Sequence, residues 1–188
     1  MFGEKLSHYV DLPRWWIGAP VTEIYSASAP NVVPYYRVHD NENVIYKFEN
    51  GAVSSLSFVM YVAQSAGGDP LQTSDKKENG GVELTYLITG TRGAAATNVV
   101  ERSLRRWEFG DSPTRMTSTL AETLTWQPEE DTRYYHDSYT QNEDIVRRVV
   151  NGLPPAIAPR DALETMRLCF AADLSAETGR VVRLDELS

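Results

Sequence analysis

Cysteine and positive charge are both scarce in this sequence. Its single cysteine, Cys169, cannot form an internal disulfide, and no cysteine–histidine spacing typical of zinc sites is present. We therefore expect Cys169 to be a small buried hydrophobic residue in a chain from the reducing cytoplasm. Lysine and arginine total 18 against 26 acidic residues, so the net charge is −8. An acidic chain repels phosphate, which disfavours nucleic acids and anionic membranes as partners.

Long apolar runs and phosphate-binding loops are also missing. No run approaches the roughly eighteen apolar residues of a transmembrane helix, and the first residues lack the apolar region of a signal peptide. Gly90 and Gly93 follow a predicted strand, but the third glycine of a dinucleotide-binding fingerprint is absent, and there is no GxxxxGK or GxSxG motif. We interpret Gly90–Gly93 as a hairpin turn. We expect this chain alone to bind neither a cofactor nor a metal.

The length of 188 residues and the 41% of apolar residues are typical of one domain with a sizeable core, which we expect to span 1–188. Helical spacing of Leu6, Tyr9 and Val10 predicts a helix from Glu4 to Gly18. Pro13 lies inside this segment, and because proline lacks an amide donor we expect a kink or a new helix start there.

The middle of the chain shows the alternation of β-strands. Two strands flank Asn50-Gly51, for which we expect a type I′ turn. The segment from Gln64 to Gly81 is predicted to be a mobile loop. Three further strands are predicted: Val82–Ile88, Thr97–Phe109 and Met116–Trp126.

The last third of the sequence has helical patterns. Thr140-Gln141-Asn142-Glu143 is typical of a capping box that begins a helix. The residues expected on its buried face are Ile145, Val146, Val149 and Val150. A second helix is predicted from Pro159 to Gly179, followed by a short strand at 181–184. The residues it is expected to direct inward are Leu163, Met166, Phe170 and Leu174. This order predicts an α+β fold: an open, mainly antiparallel sheet with helices packed on one face.

Three histidines are candidates for chemistry. We interpret His39, with Asp40, as surface residues of a polar loop. His136 either faces a cleft or has a surface or half-buried position. Glu4 and His8 are four residues apart and share a helix face. A carboxylate beside an imidazole can orient it as a general acid–base group; the alternative is an exposed polar pair.

Several segments together resemble one protein family. The stretch Glu4–Gly18 has an acid, then His8, Asp11 and an Arg-Trp pair before its glycine. The other matching segments are 43–52, 86–93, 144–155, 161–163 and 175–181. In this order, over nearly the whole chain, they are similar to the C-terminal domain of the Gfo/Idh/MocA oxidoreductases. In that family a nucleotide-binding Rossmann domain precedes this region, and it is missing here. A truncated open reading frame or a partial assembly is the simplest account; a separately encoded domain is the alternative.

The resemblance implies roles for individual residues. His8 matches the family's catalytic histidine, which takes the proton of the substrate hydroxyl. Glu4 matches an acid that holds substrate. His136 is a further substrate-binding candidate, which rests on its own position in the sequence and not on the resemblance. Asp11 and Arg14 are expected to hold the helix in place. NAD or NADP is implied for a full-length family member.

Two functions follow from these observations. The first is the substrate-binding and oligomerisation half of a nicotinamide-dependent dehydrogenase of a sugar, polyol or cyclitol, inactive as this chain alone. It would form a homo-oligomer through the uncovered face of its sheet. The second is a non-catalytic scaffold or interaction domain encoded as it stands.

Overall fold

The computed structural model describes residues 6–59, 84–99, 101–112, 114–127, 130 and 138–187. The chain divides into two compact units, one formed by Met1–Tyr61 and Pro154–Ser188 and the other by Val62–Leu153. Each unit contains a four-stranded sheet in which every described pair of neighbouring strands is antiparallel. The predicted α+β class with antiparallel strands is therefore confirmed.

The described helices and strands follow one another in this order: α1 (Ser7–Ile17), β1 (Val21–Ala27), β2 (Asn41–Phe48), β3 (Val53–Val59), β4 (Thr85–Thr89), β5 (Gly93–Asn98), β6 (Ser103–Gly110), β7 (Thr117–Thr125), α2 (Ser138–Val150), α3 (Pro159–Thr178) and β8 (Val182–Arg183). A 3₁₀ turn, Leu184–Glu186, follows β8. The first unit has the sheet order β3-β2-β1-β8, and the second has β4-β5-β6-β7.

Alternation along β2 builds the core of the first unit. Val44, Tyr46 and Phe48 are buried while the residues between them are exposed. Helices α1 and α3 cover the buried face and contribute Leu6, Val10 and other apolar side chains to one cluster. Each large apolar side chain buried in this way contributes roughly 1.5–3 kcal/mol. Helices packed on one face of a sheet are as expected from the sequence.

The β2–β3 hairpin forms where Asn50-Gly51 predicts it, but the turn type is different. Gly51 has a φ of +84°, whereas Asn50 has no positive φ, as a type I′ turn would require. The amide of Gly51 donates to the carbonyl of Phe48, and the amide of Phe48 donates to Ala52. These bonds close a three-residue loop in which the left-handed residue follows a tight turn. The type I′ prediction is wrong because the loop has three residues instead of two, and only Gly51 has a positive φ.

Both helices of the first unit end as the sequence predicts. Gly18 and Gly179 follow α1 and α3 with φ values of 66° and 67°. Glycine adopts this left-handed conformation without steric cost and so satisfies the last carbonyls of a helix. No new helix starts at Pro13, because α1 runs through it without interruption.

The face that α3 directs inward differs in part from the predicted one, since Leu174 packs against the core as expected. Leu163 and Phe170 are 59% and 58% exposed. The buried residues of α3 are Thr165, Leu168, Cys169, Ala171, Ala172 and Ser175. Most of these side chains are small, which allows the helix to approach the sheet closely, whereas the prediction followed the large apolar residues. Cys169 is fully buried, as expected.

The second unit corrects one predicted strand and confirms another. Instead of one strand from Thr97 to Phe109, the chain reverses between β5 and β6, where Arg102 adopts a φ of 54°. The three alanines after Gly93 belong to β5, although alanine is depleted in strands, which is why propensity missed them. Strand β7 lies within the segment predicted for it.

Helix α2 also departs from the sequence prediction. It begins at Ser138, so Thr140 lies inside the helix and is not its N-cap residue, which needs an extended backbone. The apolar stripe expected to be buried is exposed: Ile145 and Val146 by 55% and 61%, Val149 and Val150 by 75% and 77%. Helical spacing places these residues on one side of α2, but it does not determine whether another element covers them. The predicted loop from Gln64 to Gly81 lies outside the described residues.

None of the described helices is both long enough and apolar enough to span a membrane.

Candidate functional site

Helix α1 presents His8 to solvent. Leu6 and Val10 anchor the opposite side of the helix in the core, with 0% and 1% of their surface exposed. His8 is exposed, and so is Trp15, by 76%. Because these two residues are seven positions apart, they lie along the same side of the helix. A polar ligand can therefore reach the imidazole from outside the core.

A polar contact fixes α1 to α3. The hydroxyl of Thr165 donates a hydrogen bond of 2.6 Å to Oδ1 of Asp11. Arg14 donates from Nε to the same oxygen at 3.3 Å and from Nη2 to the carbonyl oxygen of Asp161 at 3.1 Å. Since two groups of α3, the Thr165 hydroxyl and the Asp161 carbonyl, bond to side chains of α1, the helix that carries His8 is fixed against α3.

The structure describes only some of the other residues that were considered for the site. Glu4 and His136 lie outside the described residues, so their proximity to His8 stays a prediction. His39 is exposed, as expected for a loop residue. Asp40, beside it, is fully buried, which corrects its interpretation as a surface residue.

Asp40 organises the loop between β1 and β2. Its Oδ2 accepts hydrogen bonds from the amides of Val32 and Val33 at 2.8 and 2.7 Å, and its Oδ1 accepts one from Asn41 at 2.9 Å. Burial alone would raise the pKa of Asp40, but the hydrogen bonds from Val33, Asn41 and Val32 outweigh it and hold the pKa below its usual value. Asp40 is therefore a structural carboxylate. Its position directly before β2 is the only signal of this in the sequence.

An open depression of about 730 Å³ lies at the β4–β5 turn of the second unit. Its lining includes the Gly90–Gly93 turn and, from β6, Trp107 and Phe109. A Cβ atom on Gly93 would overlap the carbonyl oxygen of Trp107. The glycine is thus needed for strand pairing, and the turn is part of a hairpin, as predicted.

The described residues do not fit a nicotinamide dinucleotide. Its pyrophosphate is bound where a glycine-rich turn leads from a strand into a helix N-terminus. The described glycines instead lie at helix ends, in hairpin turns or within strands: Gly18, Gly51, Gly90, Gly93, Gly110, Gly152 and Gly179. In the same part of the chain, no three histidine, cysteine or acidic side chains come together to hold a metal ion.

The sequence matches one family model over residues 1–184, described as the oxidoreductase family, C-terminal alpha/beta domain. The chain therefore belongs to the Gfo/Idh/MocA oxidoreductase family and corresponds to its C-terminal domain. A comparison with curated proteins gives no significant match.

Solved structures have a similar fold. An oxidoreductase from Agrobacterium radiobacter, in complex with NAD⁺, L-tartaric acid and magnesium, aligns with a TM-score of 0.68 at 21% identity, over 98% of this chain and 49% of that one. Levoglucosan dehydrogenase, in complex with NADH and levoglucosan, aligns with a TM-score of 0.67 at 17% identity, over 96% and 49%. The WlbA dehydrogenase from Bordetella pertussis, in complex with NADH and UDP-GlcNAcA, aligns with a TM-score of 0.55 at 21% identity, over 94% and 42%. The chain thus spans about half the length of these proteins.

Proposed function

We propose that this chain is the substrate-binding and oligomerisation half of a nicotinamide-dependent dehydrogenase of a sugar, polyol or cyclitol. The observation that carries the proposal is the exposed imidazole of His8 on a helix fixed by the contact between Asp11 and Thr165. Membership of the oxidoreductase family supports it. So do the ligands of two similar structures, levoglucosan and UDP-GlcNAcA, which are both carbohydrates.

In this proposal His8 is the acid–base group. A hydroxyl of the substrate donates its proton to the imidazole, and Glu4 and His136 contribute further polar contacts to the substrate. General acid–base assistance is typically worth 10²–10⁴-fold in rate. Asp11 and Arg14 are positioning residues, because they contact α3 and hold the helix that carries His8.

The nicotinamide is the redox partner that family members use, and we propose that this chain does not bind it alone. The absence of a suitable glycine turn among the described residues supports this part of the proposal. Titration calorimetry of the purified chain with NAD⁺ and NADP⁺ tests it. No binding in the micromolar range is expected, and micromolar binding would overturn it.

Ligand binding tests the role of His8. Saturation-transfer NMR of the full chain with a panel of aldoses, polyols and inositols is expected to identify at least one ligand in the millimolar range. His8→Ala should weaken its binding several-fold. The matched control is His39→Ala, which removes an equally exposed histidine from a loop and should leave binding unchanged. Equal losses in both variants, or no ligand in the panel, would favour the scaffold alternative.

Oligomerisation is proposed through the uncovered face of the first sheet. This face exposes apolar side chains on three neighbouring strands: Tyr25, Ile45, Val53 and Val59 are between 38% and 64% exposed. Such a patch on a sheet is typical of a surface that pairs with another copy. This proposal needs no catalytic activity, and it holds under either function.

A further inference from the structure

Glu42 is a carboxyl group buried inside the first unit. It precedes Val44 and Tyr46 on the inward face of β2, and only 1% of its surface is exposed. Its Oε2 is buried and has no hydrogen-bond partner among the residues that the structure describes. Glutamate is almost never fully buried unless it is paired, so this position needs a physical explanation.

The groups that face Glu42 provide no compensating charge among the described residues. On α3, which packs against this face, the negative charge of Asp173 raises the pKa of Glu42. Asp173 is therefore a like charge and not a partner. Cys169 of α3 and Tyr46 of β2 are the other titratable groups close by, and both are neutral at pH 7 because burial raises the pKa of each. On β3, the residue opposite Glu42 is Phe58.

The remaining elements of this core add no partner either. Helix α1 contributes Leu6 and Val10, which are apolar. On β1, the buried hydroxyl of Ser26 has no hydrogen-bond partner within the described part of the chain. Asp173, in turn, interacts with Glu177 on α3 and with His39 in the loop before β2. An ionised Glu42 would therefore be a buried anion beside one further acid, Asp173, and the positive charge of the chain's N-terminus offsets this only in part.

Burial, and then the charge of Asp173, raise the pKa of Glu42 to about 7. In the unfolded chain a glutamate titrates near 4.5. The folded protein thus holds this proton more tightly than the unfolded chain does. Folding stability consequently falls as the pH rises from about 4.5 to about 7, and it changes little above that from this group.

The same helix connects Glu42 to the helix that carries His8. Asp173, in the second half of α3, acts electrostatically on Glu42, while Thr165 and Asp161, nearer the start of the helix, bind Asp11 and Arg14 of α1. We propose that Glu42 is a proton-dependent lock: its neutral carboxylic acid lets α3 lie on the sheet, and its ionised form loosens α3 and, through it, α1. Proton loss from one buried group would then change how firmly His8 is held.

Thermal unfolding of the full chain between pH 5 and pH 9 tests the lock. The melting temperature of the wild type is expected to fall by about 5 °C between pH 5 and pH 8. Glu42→Gln, which has the same shape without the charge, should abolish most of this fall. The matched control is Glu49→Gln, which removes an exposed glutamate next to the β2–β3 turn and should keep the wild-type slope. Asp173→Asn should shift the fall to lower pH, because it removes the neighbouring negative charge.

Hydrogen exchange tests the coupling to α1. At pH 8 the amides of α1 and α3 should exchange several-fold faster in the wild type than in Glu42→Gln, whereas at pH 5 the two proteins should agree. The proposal would be overturned if the melting temperature of the wild type did not change with pH, or if Glu42→Gln kept the wild-type pH dependence. Equal amide exchange of α1 and α3 in the two proteins at pH 8 would also overturn it. If Glu42→Gln does not fold, carbon-13 NMR of the labelled wild type decides: one glutamate carboxyl should titrate near pH 7, and titration of all of them below about pH 5.5 would refute the lock.

Discussion

The hydroxyl of Thr165 lies 2.6 Å from the carboxylate of Asp11, to which it donates a hydrogen bond, although the two residues are 154 positions apart in the chain. Thr165 is 9% exposed and the side chain of Asp11 is 41% exposed, so this contact is partly buried. Hydrogen bonds to charged groups in such places are among the stronger ones, at roughly 1.5–3 kcal/mol. This pair joins the first helix of the unit to its last one.

Removing the hydroxyl should therefore loosen α1. Thr165→Val keeps the shape of the side chain and is expected to lower the free energy of unfolding by about 1–2 kcal/mol, because Asp11 loses its donor from α3. Urea unfolding measures the loss, and hydrogen exchange should locate it in α1. Thr165→Ser should restore most of the stability.

The control for this substitution lies on the same helix. Thr178 donates to the carbonyl of Leu174 at 2.6 Å near the exposed end of α3. Thr178→Val should change stability by less than about 0.5 kcal/mol. If both substitutions lowered the free energy of unfolding equally, the contact between Thr165 and Asp11 would contribute no more to stability than the exposed hydrogen bond of Thr178.

Acid should weaken the loop before β2 through Asp40. The pKa of Asp40 is lowered in the folded state, so its stabilising effect is complete above the usual aspartate value of 3.8 and is lost as the pH falls through the lower, folded value. Asp40→Asn should be less stable than the wild type at pH 7, and the difference should shrink between pH 4 and pH 2. Unfolding by urea across this range measures it. Asp111→Asn, at an exposed aspartate, should show no such convergence.

The β2–β3 turn should depend on its glycine. Gly51 has a φ of +84°, and an L side chain there costs roughly 1–2 kcal/mol. Gly51→Ala should lower the free energy of unfolding by about 1 kcal/mol. Gly90→Ala is the comparison, because an added Cβ would meet only Gly93 at 3.9 Å, an ordinary contact. If Gly90→Ala lowered the free energy of unfolding as much as Gly51→Ala, the positive φ of Gly51 would not explain the loss.

The uncovered sheet face should mediate self-association. Standard interfaces of about 1,600 Å² usually hold at about 50 µM, so light scattering at that concentration should give a dimer or a larger assembly. Ile45→Lys should convert it to a monomer, because the lysine charge would be buried in the interface. Val38→Lys, at an exposed apolar loop residue, should leave the assembly intact. A monomeric wild type would count against this surface.

Local patterns in the sequence are sufficient for much of this fold. The β2–β3 hairpin and the ends of α1 and α3 follow from Asn50-Gly51, Gly18 and Gly179, because turns and helix ends depend on the conformation of a few adjacent residues. The alternation Val44, Tyr46, Phe48 likewise gives the buried face of β2. Counted back by two residues from Val44, the same alternation predicts that Glu42 also faces the core.

Long-range partners are what the sequence does not reveal. Thr165 has the pattern of an ordinary polar position on an amphipathic helix, and nothing near it points to Asp11. Asp40 resembles a loop residue until the amides of Val32 and Val33 are seen around it. The proposed role of His8 rests on its family motif, since spacing alone also fits an exposed polar pair. Contacts of this kind depend on how distant segments pack, which local propensity does not encode.

The first unit is built from two separate stretches of chain, Met1–Tyr61 and Pro154–Ser188, with Val62–Leu153 between them. During synthesis, the strands that carry Ile24, Val44 and Tyr46 therefore leave the ribosome long before α3, which covers their apolar face. At typical translation rates of 5–20 residues per second the delay is roughly 5–20 s. For that time the nascent chain carries an uncovered sheet, so slower translation of the middle segment should increase its dependence on chaperones.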